Sequence, residues 1–190
     1  MLWFYKSFFP LIWIAFFAYW RIKAADTKTT QRLEPAASGI LRVLTFLIAV
    51  VLLSTTRIPV PWFYFQLWPP GFWPFWLGAA VTVAGLLFAV WARVHLGRNW
   101  SSSITIKQGH ELITSGPYAA VRHPIYTGIL TGFLGTVIAL SQVRGLITFA
   151  LIFLMLWLKL RREEQWMRSQ FGETYATYAR KTAALVPYIC

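Results

Sequence analysis

Five apolar stretches alternate with polar segments along the chain, at about 3–20, 39–56, 72–96, 124–141 and 144–160. A helix needs about 20 predominantly apolar residues to cross the hydrocarbon core of a bilayer. The pattern therefore predicts about five transmembrane helices. The first, "WFYKSFFPLIWIAFFAYW", holds Pro10 in its interior, where a kink is expected. Segment 21–38, "RIKAADTKTTQRLEPAAS", has no apolar period and reads as a loop. In 57–71, "RIPVPWFYFQLWPPG", prolines prevent a regular helix and the Trp and Tyr residues suit a membrane–water interface. Residues 97–123 form a polar connection. Only "SQVR" separates the last two runs, which predicts a tight antiparallel helical hairpin. Residues 161–182 are polar and helix-prone. They extend the last span past the membrane surface, with a break at Gly172.

Composition agrees with the pattern. Of the 190 residues 57% are hydrophobic, 18% aromatic and only 13% charged, about half the charged share of a soluble domain. The expected fold class is an all-α integral membrane protein, one membrane domain over 1–190. The net charge of +12, from 18 Lys and Arg against 6 Asp and Glu, belongs to membrane orientation rather than to nucleic acid. Arg21, Lys23, Lys28 and Arg32 lie in the first loop. Arg98, Lys107 and Arg122 lie in the long connection. Lys159, Arg161, Arg162, Arg168, Arg180 and Lys181 lie at and beyond the end of the last span, whereas the opposite side carries only Lys6, Arg57 and Arg144. The positive-inside rule then places the N-terminus outside and the tail in the cytoplasm. The first apolar run lacks a small-residue cleavage site and is expected to be a retained span. One cysteine, Cys190, excludes an internal disulfide framework and a thiolate zinc cluster, and it lacks the three following residues of a prenylation box. No metal site is predicted.

The chemistry concentrates in two polar clusters. The first is 115–128, "SGPYAAVRHPIYTG". Pro124 donates no backbone hydrogen bond and disfavours helical geometry at His123. His123 is thus a cap and Pro124 the first helical residue. The N–H groups of Ile125 and Tyr126 then face the helix start, a site suited to a carboxylate or phosphate. Gly128 and Gly132, four apart, permit close approach by either a helix or a ligand. Taken singly, Gly116-Pro117 and His123-Pro124 read first as loop punctuation before a helix. The second cluster is "WLKLRREEQWMRSQFGETYATY". Lys159 and Glu163 share a helix face, and Glu163 and Glu164 sit where the helix leaves lipid, a costly place for an unpartnered carboxylate. A solvated pair, with Glu164 supported by Arg168, is the plain alternative.

Together, "LITSGPYAAVRHPIYTG", an apolar hairpin, "RREEQWMRSQFGETYATY" and Pro187 resemble the isoprenylcysteine carboxyl methyltransferase family and the related phospholipid N-methyltransferases, over about residues 95–188. The resemblance implies a membrane methyltransferase with S-adenosylmethionine as cofactor and its active site on the cytoplasmic side. Residues 1–96 would form three N-terminal spans and 97–190 the cofactor-binding core. By motif, His110, Glu111, Leu112, Ile113, Tyr118, His123, Pro124, Ile125 and Tyr126 would contact the cofactor, with Glu163 or Glu164 completing the site. Lys159 stands where the family more typically has arginine, and Arg122 is the other candidate to orient an acceptor carboxylate; Arg122, Lys159 and Glu163 are the candidate catalytic residues. The implied acceptor is a lipophilic small molecule or prenylated chain, reached from membrane lipid. Isoprenylcysteine carboxyl methylation is the archetype and phosphatidylethanolamine N-methylation the alternative. Sterol reductases using nicotinamide carry a similar "RHP" element but are longer, and a non-enzymatic scaffold would not depend on these residues.

Overall fold

The computed structural model describes residues 2–23, 30–33, 36–54, 58–97, 100, 105–107 and 112–187. Its helices are α1 (Leu2–Lys23), α2 (Ala36–Ser54), α3 (Phe72–Leu96), the single turn α4 (Pro117–Ala120), α5 (Pro124–Leu140) and the long α6 (Val143–Lys181). Two of them, α3 and α6, are long and apolar enough to cross a membrane, and α2 and α5 are shorter apolar helices. Large apolar side chains face outward along the bundle, among them Leu44 and Leu47 on α2, Leu77 and Leu87 on α3, and Leu154 and Leu158 on α6. Such continuous apolar surface is unstable against water and natural against lipid. One departure from a purely helical chain occurs among the described residues. The segments expected to be loops pair as an antiparallel ribbon, β1 (Thr30–Leu33) with β2 (Thr105–Lys107), in the register Arg32 to Ile106 and Leu33 to Thr105.

α1 runs unbroken through Pro10 as one helical element. The chain reverses between α5 and α6 at Ser141 and Gln142. Ser141 takes a left-handed conformation (φ 57°), a strained state for a residue with a side chain. Contacts from the Pro-rich segment hold it: Leu67 N donates to Ser141 O (2.8 Å), and the Ser141 hydroxyl donates to Trp68 O. That segment forms only a short 3-10 turn, Pro61–Tyr64, with Trp62 and Phe65 exposed.

The closest partner of α5 is nevertheless α3, and not α6, the other arm of the hairpin. Gly78, Thr82, Gly85 and Ala89 line one face of α3, and Gly128, Gly132 and Gly135 one face of α5. A Cβ at Gly128 would lie 2.5 Å from the Gly85 carbonyl oxygen, and one at Gly135 the same distance from that of Gly78. Thr82 Oγ1 donates to Gly132 O across this contact (3.1 Å). Small residues let two backbones approach where lipid supplies no hydrophobic drive. Of the two readings for Gly128, the structure shows the close approach of a helix. Gly128→Val should force the helices apart and lower stability by about 3 kcal/mol, since neither backbone can yield; thermal unfolding in detergent measures it.

The two ends of the bundle differ. At one end, Arg93 Nη2 donates to Lys23 O (2.8 Å), the ribbon pairs, and 121–123 meets the C-terminal segment. At the other, Phe65–Trp68 meets Ser141–Val143. The described parts of the segments predicted to be basic, 21–23, 30–33, 105–107 and 121–123, thus meet with the tail at one end.

Candidate active site

His123 caps α5 with φ −124° and ψ 60°, and Pro124 opens the helix, as the His-Pro sequence requires. Gly116 precedes it in a left-handed turn (φ 59°), and a Cβ there would strike the His95 ring at 2.7 Å. This turn sets Tyr118 beside His95: the rings are roughly parallel with centroids 6.4 Å apart, and His95 Nε2 lies 2.9 Å from Ser115 Oγ.

α6 carries the second cluster to the same place. Tyr126 donates its hydroxyl to both oxygens of Glu163, at 2.6 and 2.7 Å. Lys159 Nζ lies 3.6 Å from Glu163 Oε1 and 5.3 Å from the centre of the Tyr126 ring. The His123 and Tyr126 rings stack, 5.5 Å apart and 4° from parallel, with His123 Nδ1 3.7 Å from Glu163 Oε2. Arg122 Nε and Nη2 both meet Glu164 Oε1 at 2.7 Å. Two sequence clusters about forty residues apart thereby form one charged knot.

The two glutamates, which sequence left interchangeable, have different surroundings. Glu164 is the buried one, its side chain 11% exposed and clipped by Arg122. Burial pushes its carboxyl up. Contacts with His123 and Arg122, and the charges of both, outweigh this and hold it down to about 2. The Arg122 contact is the firmer, because His123 Nε2 stands at 3.4 Å. Arg168, expected to support Glu164, is 62% exposed and reaches it only at 3.8 Å, a geometry of little worth in water. Glu163 is the more open carboxylate, its side chain 23% exposed. The depressed value for Glu164 carries a sign. Its ionised form stabilises the fold fully above the ordinary 4.5, and that contribution is lost as pH falls toward 2. Acid titration of unfolding should show a decline on the order of 3 kcal/mol between about pH 5 and 2, absent in Glu164→Gln.

Arg122, a candidate catalytic residue, is engaged with its own chain. Besides gripping Glu164, its Nη1 donates to Ala179 O at 3.0 Å and to Thr182 O. The guanidinium is turned toward the tail and ties it to the motif. His110 and Glu111 lie outside the described residues. Ile113 packs on the buried cluster that contains Tyr118, Ile125 and Tyr126.

Sequence reasoning missed the chain's own C-terminal segment. α6 breaks at Gly172 (φ 53°, ψ −127°), where the break was expected, and the tail returns to the motif. Arg122 N donates to Ala183 O (2.8 Å), His123 N to Ala184 O (3.1 Å) and Thr127 Oγ1 to Leu185 O (2.6 Å). The Tyr178 hydroxyl donates to Tyr118 O (2.6 Å), and Tyr175 is fully buried. Burial raises the Tyr118 and Tyr175 phenols, and raises Tyr178 to about 12, so these groups stay neutral. The repeated Tyr in "ETYATY" was the available signal. His95 was also missed; its signal is a histidine closing an apolar helix just before Gly97.

The comparisons with known proteins point the same way. The sequence model of the family described as phospholipid methyltransferase matches residues 73–174. Protein-S-isoprenylcysteine O-methyltransferase B of Arabidopsis thaliana is 29% identical over 115 residues, 59% of this chain and 58% of that protein. The cobalt-zinc-cadmium resistance protein CzcN of Cupriavidus metallidurans is 33% identical over 114 residues, 59% of this chain and 51% of that protein. These matches span less than two thirds of the relatives' own length. The solved structure of the eukaryotic intramembrane Ras methyltransferase ICMT shares the fold, with a TM-score of 0.56 at 21% identity over 84% of this chain and 55% of that one. With the family match covering over half of its length, this chain belongs to the phospholipid methyltransferase family.

Proposed function

We propose that this chain is an integral membrane methyltransferase that uses S-adenosylmethionine to methylate the carboxylate of a lipophilic, isoprenylcysteine-type acceptor. The observation that carries this is the closure of the His123 turn onto the exit of α6, with Tyr126 on Glu163 and Arg122 on Glu164. Five spans, N-terminus outside, would put that knot at the cytoplasmic face, with 97–190 holding cofactor against the scaffold of 1–96. The gathering of the basic segments at one end of the bundle supports that orientation.

The donor set fits the cofactor. S-adenosylmethionine carries a cationic sulfonium and an amino group, an anionic carboxylate and an aromatic base. Glu163 is a partly open anion beside the stacked His123 and Tyr126 rings, which suits a cation. The first turn of α5, opened by Pro124, presents donors that suit a carboxylate. Tyr118, stacked on His95, offers an aromatic surface. Glu163 would hold the amino group or ribose hydroxyls, and Tyr126 would fix the orientation of Glu163 through its bifurcated bond. When bound, the cofactor supplies a methyl group already activated on sulfur. The chain must then align the acceptor and exclude water. A carboxylate acceptor is ionised at neutral pH and so needs no general base.

Methyl transfer from labelled S-adenosylmethionine to a panel of S-prenylated N-acylcysteine, phosphatidylethanolamine and simple lipophilic acids tests the assignment. The expected result is transfer to the prenylated acid, at a rate flat from about pH 6 to 8. The family's own description favours N-methylation as a second possibility. In that case the rate should fall steeply below the amine's pKa, and transfer to phosphatidylethanolamine alone would replace the first assignment. Saturable binding of reduced nicotinamide with none of S-adenosylmethionine would overturn both.

A further inference from the structure

Arg42 was not among the expected site residues, yet the fold carries it to the seam between α2 and α6. Along α2, Ile40, Leu41, Val43 and Leu44 are exposed on the apolar surface, while Arg42 among them is only half-exposed. Two contacts fix α2 and α6 as antiparallel neighbours. Arg162 Nη1 donates to Ser38 Oγ near the basic end, and Arg144 Nη1 to Leu52 O at the other (3.1 Å). Arg42 lies one turn beyond Ser38 on the same face, and Lys159 about one turn before Arg162 on α6. The two cations therefore stand at the same depth on facing helices. Phe46, one turn deeper on α2, packs against the core cluster containing Tyr126 and Leu160. The Arg42 guanidinium folds back toward the basic end, its Nη2 3.8 Å from where a Cβ on Gly39 would lie, as a charge on a lipid-facing helix must. Lys159, over the Tyr126 ring, and Arg42 thus stand level on the two helices, while Arg122 is turned to the tail.

We infer that Arg42 is a specificity-determining residue, which with Lys159 holds the carboxylate of the acceptor at the α2–α6 seam. The exposed Leu41 and Leu158 border that seam and would receive the lipophilic chain. Arginine supplies the planar fork that lysine lacks. During transfer a bond forms between a carboxylate oxygen and the methyl carbon as the sulfur–carbon bond breaks, its electron pair remaining on sulfur. The acceptor becomes a neutral ester and no proton moves. Two cations grip the anionic acid and not the ester, so the same clamp favours product release.

The inference rests on the carboxyl-methyltransferase assignment, and its test separates the two. In full-length protein, Arg42→Gln should raise KM for an S-prenylated N-acylcysteine at least tenfold. Affinity for S-adenosylmethionine, measured by calorimetry, should stay unchanged, and Arg42→Lys should recover part of the loss. Binding of the acid should weaken while binding of its methyl ester does not. An unchanged KM with cofactor affinity intact overturns the clamp and leaves the enzyme assignment standing. If wild type methylates no acid, that assignment falls, and the clamp is judged by binding alone: a selective loss for the acid in Arg42→Gln sustains it, and equal losses for acid and ester overturn it. Should Arg42→Gln fail to fold, as judged by lost cofactor binding, Arg42→Met and Arg42→Lys carry the same comparison. A KM response only toward phosphatidylethanolamine overturns the carboxylate in favour of a phosphate.

Discussion

Glu163→Gln weakens S-adenosylmethionine binding by roughly a hundredfold while the protein melts within a few degrees of wild type; calorimetry and thermal unfolding on one detergent preparation measure both. The expectation follows from how Glu163 is placed. It is partly exposed and is reached by a tyrosine hydroxyl, Lys159 and the His123 ring. The amide keeps the shape and one acceptor for Tyr126, so little packing is lost. The charge is lost, and hydrogen bonds to a charged group contribute roughly 1.5–3 kcal/mol, a factor of about ten to somewhat over a hundred in affinity. The same change at Glu164 should do the opposite, lowering stability first and binding only through the fold. Wild-type affinity in Glu163→Gln would remove the cofactor from this end of α6.

Arg122→Met should be the most damaging single substitution in the knot. It leaves the Glu164 carboxylate buried without its partner, a loss of about 3–5 kcal/mol for a buried pair. It also frees the carbonyls of Ala179 and Thr182, which the guanidinium holds. The tail should undock, and methyl transfer should fall with it. The double variant Arg122→Met, Glu164→Leu separates the two effects. Replacing both charges by apolar side chains removes the stranded carboxylate and should recover much of the stability. The tail would still lack its anchor, so activity should recover less than stability does. Equal recovery of both would show that the clip serves the ion pair alone.

Much of this was legible in sequence because it depends on local rules. Pro124 fixes its own φ and restricts His123, so the cap was readable from two residues. The break at Gly172 needed only a glycine in a polar helical run. The pairing of "RHPIY" with "REE" came from resemblance, and no local rule would have joined them. Other features lay beyond reach for reasons of packing. The hairpin sequence pointed to α6 as the partner of α5, yet backbone contact between α3 and α5 is set by glycines and small residues on both helices, and a connection length says nothing of which faces match. The ribbon between Thr30–Leu33 and Thr105–Lys107 joins two segments that singly carry no strand period.

What the sequence determined by itself was local: apolar runs of spanning length, basic residues concentrated in particular segments, a turn at His123 and a pair of acids at Glu163 and Glu164. Only the tertiary structure decided which charge does what. Glu163 and Glu164 are neighbours on one helix, about 100° apart around its axis, and that rotation alone turns one toward Tyr126 and the other toward Arg122. Arg122 reads in the sequence as a cation open to any anion, yet the fold sets it on Glu164 and on the carbonyls of Ala179 and Thr182, because what a guanidinium meets depends on which acceptors the packing brings within its reach.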